Sequence, residues 1–397
     1  MNSQNIKALD SQHVMQTYAR FDAVIERGEG ARLYTPEGRE YIDFTSGIGV
    51  NSVGYNNKKW AEAIYNQAQK LGHISNLFYT EPYARLAETL TARSGMKRVF
   101  FANSGAESNE GMIKLARKYR YELFGTYRTS NIITLKNSFH GRTIATLEAT
   151  GQEKFHPEDY FPYTNGFKHV QAGHMEAVEY ACADGHTCAV LLELIQGEGG
   201  VLPLPASYVK ELRAFCDELD MLLLVDEVQT GIGRTGTLFA YQQYDIMPDA
   251  VSFAKGIAGG LPMGGFLVSE KCGDTLRAGD HGATFGGNPI AAAAALEVLA
   301  QIDDSLLAKI SENGEYIRRT VSGWGFPAVR ETRGLGLMIG VSIKGAQPKE
   351  LAVRCIENGL LILTAGSDAL RLLPPLTITR EEIDAGLAIL KKVLEEL

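Results

Sequence analysis

Hydrophobic positions recur along this chain in two alternating forms: short unbroken apolar runs, and longer segments in which they return at helical spacing. From Lys58 onward the spacing predicts helices over Lys58–Leu71 and Glu81–Arg93, a strand at Val99–Ala102, a helix from Ala106 to about Leu123 and a strand at Ile132–Leu135. Strands at Ala189–Ile195, Met221–Val225 and Ala250–Phe253 follow, with a helix over Ser207–Leu219, and Gly264–Val268 supplies one more strand. Short apolar runs bounded by turn residues are strands covered on both faces. Their alternation with helices implies an α/β fold with a mostly parallel sheet flanked by helices. Ahead of this region, residues 1 to 20 form a polar arm or first helix, and Arg32–Tyr34 and Arg39–Phe44 flank the turn Thr35–Gly38 as a hairpin. An alanine-rich helix begins near Asn288 with Pro289 in its first turn. Beyond it, Gly334–Ile343 and Leu360–Leu363 suggest strands and Arg380–Glu396 a closing helix. The expected organisation is an N-terminal arm and hairpin, 1–55, belonging to the smaller unit, a large domain, 56–290, and a C-terminal small α+β domain, 291–397.

Composition narrows the class. The chain has 397 residues, 45% hydrophobic and 22% charged, with a net charge of -8, which argues against nucleic acid or an anionic membrane surface as the main partner. Its five cysteines (Cys182, Cys188, Cys216, Cys272 and Cys355) are scattered and show no metal or redox spacing, as in a reduced, cytoplasmic chain. No basic segment followed by an apolar one opens the sequence, and no apolar run approaches the roughly 20 residues of a membrane span.

Candidate chemistry gathers at strand ends. The apolar run Leu222–Val225 stops at Asp226, and Ala250–Ala254 stops at Lys255. Ligands in open α/β sheets bind beyond the carboxyl ends of strands, so an acid and a lysine there face one pocket. A buried carboxylate stays charged only beside a charged or hydrogen-bonding partner, such as a protonated heterocycle. A buried lysine is costly unless its amine is neutral or covalently used, as in a Schiff base. Solvated loop positions are the ordinary alternatives for both, weakened here by the apolar runs. The unit Val99–Glu110 has the form of an anion site, with free N–H groups at Ser104, Gly105 and Ala106 and the positive end of a helix dipole; taken alone it reads as a helix capped by Ser104. Gly231–Gly236 matches GxGxxG, but a strand-to-helix turn is missing, so the glycines shape a loop rather than a dinucleotide site. The glycine-rich stretch Ser46–Val50 is a turn that brings backbone near a ligand only if the fold places it there. Phe139 can stack on a flat ring and Arg142 can grip a carboxylate bidentately. His140 between them reads as structural, since none of the eight histidines has ligand spacing.

A phosphate turn, a stacking aromatic, an acid facing a ring nitrogen and an imine-forming lysine occur here in one order. In that order the chain resembles the class III pyridoxal-phosphate-dependent aminotransferases of fold type I. The similarity is carried by Asn103–Glu107, Phe139–Thr143, Glu193–Gly200, Asp226–Gly236, Ser252–Gly265 and Gly282–Pro289, and it extends from about Phe21 to the C-terminus. The resemblance implies pyridoxal 5'-phosphate as cofactor, with Lys255 as the lysine joined to it and Asp226 as partner of its ring nitrogen. It implies that Ser104, Gly105 and Ala106 bind the phosphate, with Thr284 of a neighbouring subunit, hence a homodimer. Phe139 would stack on the ring, with Glu193, Val228 and Gln229 around it. Arg142 would hold a substrate carboxylate, Arg371 the α-carboxylate of glutamate or 2-oxoglutarate, and Glu198 would pair with Arg371 and release it according to the substrate. Val50–Tyr55 and His73–Pro82 resemble the branch of the family that moves the δ-amino group of N2-acetylornithine to 2-oxoglutarate. Succinylornithine, ornithine, 4-aminobutyrate and acetyl-lysine are the donors of its sister branches. Leu194, Ala283 and the segment Tyr55–Trp60 depart from the family pattern, and Ala283 lies next to the substrate region.

Overall fold

The computed structural model describes residues 1–397. A sheet of seven strands runs through the middle of the large unit in the order Arg98–Ala102, Gly264–Val268, Ala250–Phe253, Leu222–Asp226, Thr187–Leu192, Asn131–Leu135, Phe167–Val170. Gly264–Val268 is antiparallel to both of its neighbours, and the remaining pairings are parallel. The chain therefore forms a mostly parallel α/β sheet, as the pattern of apolar runs predicts. Every residue of Thr187–Leu192, Leu222–Asp226, Ala250–Phe253 and Gly264–Val268 is buried, which explains why these strands read as unbroken apolar runs rather than alternating ones.

Several elements differ from the sequence expectation. The strand expected over Ala189–Ile195 runs instead from Thr187 to Leu192, and Ile195–Gln196 leaves the central sheet to pair with Leu202–Pro203, while the Glu193 carboxylate between them accepts from the N–H groups of Phe139 and Gly197. Gly334–Ile343 is part of a hairpin, Val329–Leu335 against Met338–Ile343, whose ladder closes between Leu335 and Met338. The edge strand Phe167–Val170 was not legible, since it is four residues long and only Val170 is buried. The helix Asp304–Gly323 and the strand Ala369–Leu372 are likewise additional.

The N-terminal hairpin is not free-standing. Glu40–Asp43 pairs in parallel with Leu360–Leu361, joining residues from the two ends of the chain in one small sheet. A second connection runs through the loop Gly231–Gly236, which forms turns and no helix. Its Arg234 is buried and donates to the carbonyls of Leu337, at 3.1 Å, and Pro374, at 2.6 Å. That loop fastens the strands after residue 329 to the central sheet. No helix is long and apolar enough to cross a membrane.

The helix Gly105–Phe124 lies against the sheet through a glycine. A Cβ on Gly111 would stand 2.2 Å from Cε1 of the buried Phe266, so the helix axis can approach Gly264–Val268 only without a side chain there. Gly111→Val should push this helix outward and destabilise the protein by roughly 2 kcal/mol or more, the cost of overpacking a core. Thermal or denaturant unfolding measures this, and a variant as stable as the unsubstituted protein would refute the close packing.

Candidate active site

The carboxyl ends of the parallel strands surround a cavity of about 410 Å³. Its walls include Ser104, Gly105 and Ala106, Phe139, His140 and Arg142, Glu193, Asp226, Val228, Gln229 and Lys255, each group following a different sheet strand or its loop. Val50, from the glycine-rich stretch near the N-terminus, also reaches this wall.

Asp226 is 4% exposed. Its Oδ2 accepts from Asn109 Nδ2 at 2.7 Å and faces His140 Nδ1 at 2.8 Å, while Oδ1 accepts from the Val228 N–H at 3.0 Å and Ser252 Oγ at 3.3 Å. A carboxylate offers only acceptors, so His140 Nδ1 carries a hydrogen toward it. Four donors from four segments hold the carboxylate in one orientation. Asn109 also donates to the His140 carbonyl at 2.7 Å, so the two partners of Oδ2 brace each other.

The neighbouring acid, Glu227, points elsewhere. It accepts from the N–H groups of Ala240 and Tyr241, at 2.7 and 2.8 Å, and from Thr230 Oγ1 at 2.9 Å, shaping the loop that follows. Burial pushes its carboxyl up to about 7.

Lys255 follows the strand Ala250–Phe253 with φ of 46°, a left-handed conformation that a non-glycine residue adopts only where surrounding structure holds it. Burial holds its amine below the ordinary lysine range; Arg371 acts in the same direction, while Glu198, Asp226 and Glu193 oppose it. The net effect raises the fraction of neutral, nucleophilic amine near neutral pH.

At the opposite wall, Ser104 caps the helix Gly105–Phe124 by accepting from the Glu107 N–H, and Glu107 accepts from the Asn103 N–H at 2.6 Å. This leaves the amides of Gly105 and Ala106 at the positive end of a 20-residue helix. A Cβ on Gly105 would lie 2.6 Å from Val228 Cγ1, so the cradle requires glycine. An anion cradle, a fixed carboxylate, an aromatic ring and a lysine around one small-molecule-sized cavity are a donor set that fits pyridoxal phosphate.

Behind Gln229, Arg371 and Glu198 form an ion pair. Arg371 Nη1 lies 2.5 Å from Glu198 Oε1 and donates to Gln229 Oε1 at 3.2 Å. Burial raises the Glu198 carboxyl, but Arg371 overrides it and holds the group below its ordinary value. Arg142 is exposed and lies over the rings of Phe139 and Phe155, engaging no carboxylate. Ala283 and the exposed Thr284 are outside this cavity; the Ala283 carbonyl accepts from Asn76 Nδ2 at 3.1 Å.

Sequence reasoning did not single out Asn109 and Ser252. A signal existed for Asn109, a polar residue at a helical position flanked by buried Ser108 and Met112. Ser252 gives none, because its role depends on strand pairing, Asp226 being opposite Ser252. His140 reads as structural in the sequence, and the structure gives it a contact with Asp226 that spacing does not reveal.

Comparison with known proteins gives the family. The family model described as Aminotransferase class-III matches residues 14–394. The chain is 49% identical over 398 residues, covering all of both chains, to a protein of Haemophilus ducreyi named acetylornithine aminotransferase. Among solved structures it is similar to N-acetylornithine aminotransferase from Stenotrophomonas maltophilia, at 37% identity, TM-score 0.84 and 98% coverage of each chain. It is similar also to ornithine aminotransferase from Toxoplasma gondii, at 31% identity and TM-score 0.95, covering 100% of this chain and 94% of that one, a structure described with PLP at its active site.

Burial, reinforced by Asp226, pushes the Glu193 carboxyl well above its ordinary 4.5, although the Phe139 and Gly197 N–H groups favour the anion. A raised folded pKa contributes stability that is complete below the unfolded value and is lost as pH rises through the folded one. Cofactor-free protein should therefore lose stability between about pH 5 and about pH 8, and Glu193→Gln should flatten that fall. Denaturant unfolding across this range is the measurement, and an unchanged slope in the variant would contradict the assignment.

Proposed function

This chain belongs to the class III aminotransferases, and we propose that it moves the δ-amino group of N2-acetylornithine to 2-oxoglutarate, giving N-acetylglutamate 5-semialdehyde and glutamate. Pyridoxal 5'-phosphate is its cofactor, and when bound it supplies an electrophilic carbon and an electron-withdrawing ring. The Gly105 and Ala106 amides would hold the phosphate, and the Asp226 carboxylate would face the ring nitrogen and favour its protonated form. Phe139, Val228, Glu193 and Gln229 confine the ring. Lys255 Nζ, kept partly neutral by burial, would take the proton from the donor's δ-carbon and pass it to the cofactor's reacting carbon.

The observation that carries the substrate reading is the contrast between the two arginines. Arg142 is open to a carboxylate, whereas Arg371 is already paired with Glu198. A donor whose amino end enters beside Arg371 meets a neutralised wall. An acceptor with an α-carboxylate there meets a cation once Glu198 releases it. One pocket thus takes two unlike ends without rebuilding its surface. The exposed position of Thr284 supports a homodimer in which each copy lends this residue to the other's phosphate site. The pairing of Glu40–Asp43 with Leu360–Leu361 supports grouping residues 1–55 with 291–397 around a large domain of 56–290. We place the enzyme in the cytoplasm on its reduced, scattered cysteines.

Purified protein should be yellow, and Lys255→Ala should abolish steady-state turnover; full activity in that variant would refute the role given to Lys255. On one preparation, kcat/KM for N2-acetylornithine should exceed that for ornithine or 4-aminobutyrate by at least about ten-fold, a discrimination of the size that differing contacts to one substrate group supply. The reverse ranking would assign the enzyme to a sister activity.

A further inference from the structure

The short helical turn Glu153–Phe155 follows the loop that carries Arg142, and its Glu153 and Lys154 line a second cavity together with Lys136 and His169. Phe155 is not a wall of either cavity, yet it is the principal neighbour of Arg142. The Arg142 guanidinium carbon lies 4.1 Å from the centre of the Phe155 ring and 5.6 Å from that of Phe139. The two rings meet edge to face, 5.6 Å apart at 74°.

An exposed arginine samples many rotamers, and binding a carboxylate through it costs that freedom. A guanidinium resting on aromatic faces is confined while its N–H donors stay available. A carboxylate in this place would also orient the arginine, but it would compete with the substrate; aromatic rings do not. The backbone that carries the two rings is itself anchored. Phe139 N–H donates to Glu193 Oε2 at 3.0 Å. Phe155 N–H donates to the Gln152 carbonyl at 3.0 Å, Gln152 Nε2 to the Ser138 carbonyl at 3.0 Å, and His156 Nε2 contacts the Leu147 carbonyl at 2.7 Å. Lys154 Nζ also lies 4.8 Å from the Phe155 ring centre, so the ring contacts two cations.

We infer that Phe155 is the positioning residue for Arg142, and through it for the α-carboxylate of the amino donor. This rests on the reading that Arg142 takes that carboxylate. Phe155→Leu keeps an apolar side chain and removes the aromatic face, and Phe155→Trp keeps the face.

The probe is N-acetylnorvaline, which is N2-acetylornithine without its reacting amine, titrated calorimetrically into holoenzyme. Phe155→Leu should weaken its binding about ten-fold, and Phe155→Trp should bind it nearly as the unsubstituted enzyme does. The loss should appear in KM for N2-acetylornithine and leave kcat/KM for N-acetylputrescine, the same donor without its carboxylate, unchanged. The visible absorption of the bound cofactor should also be unchanged. Equal binding of N-acetylnorvaline by Phe155→Leu, or an equal loss with N-acetylputrescine, would overturn the inference alone. Absence of N-acetylnorvaline binding to the unsubstituted enzyme would overturn the role of Arg142, and the inference with it.

Discussion

The site depends on one buried carboxylate held in a single orientation. Asp226 stands at the end of a strand with no exposed residue, and four donors (Asn109, His140, the Val228 amide and Ser252) meet its two oxygens. Each donor comes from a different segment, so fixing this carboxylate also fixes the start of the helix Gly105–Phe124, the Phe139–Arg142 loop and the strand that leads to Lys255. An unpaired carboxylate at this depth would cost several kcal/mol, and the same contacts that remove this penalty hold the cavity's walls in register. Stability and function therefore share these hydrogen bonds.

From Asp226 the order passes outward through neighbours in sequence. His140 contacts it directly, and Phe139, one residue earlier, carries the ring that faces Phe155 and Arg142. Glu227, one residue later, fixes the backbone at Ala240 and Tyr241, and the loop between them sends Arg234 to the carbonyls of Leu337 and Pro374. Pro374 closely follows the strand that holds Arg371, and the adjoining Leu373 N–H donates to the Phe44 carbonyl at 2.7 Å. The second arginine is thus positioned from the same sheet end as the first, though it arrives from the opposite part of the chain.

Much of this was legible because fully buried strands leave a plain trace. Asp226 and Lys255 end apolar runs whose partners lie on both faces, so a charged residue there stands out against its surroundings. The Ser104 turn was legible for a local reason, a capping serine and a glycine between an apolar strand and a helix. What the sequence hid is non-local. Asn109 and Asp226 are 117 residues apart, and Leu360 pairs with Ile42, which no local periodicity records. Phe155 was hidden differently: it belongs to a three-residue turn and owes its importance to the side chain it touches. The positions of Arg371 and Glu198 as site residues came from family resemblance, since a four-residue strand and a glycine-rich turn carry little pattern of their own.

The central claim is that one cavity serves donor and acceptor in turn, with Lys255 and Asp226 common to both. Mixing holoenzyme with N2-acetylornithine in the absence of any acceptor tests it most directly. The account predicts a change in visible absorption together with one equivalent of N-acetylglutamate 5-semialdehyde per site, and return of the original spectrum on adding 2-oxoglutarate. No spectral change and no aldehyde until both substrates are present would contradict it.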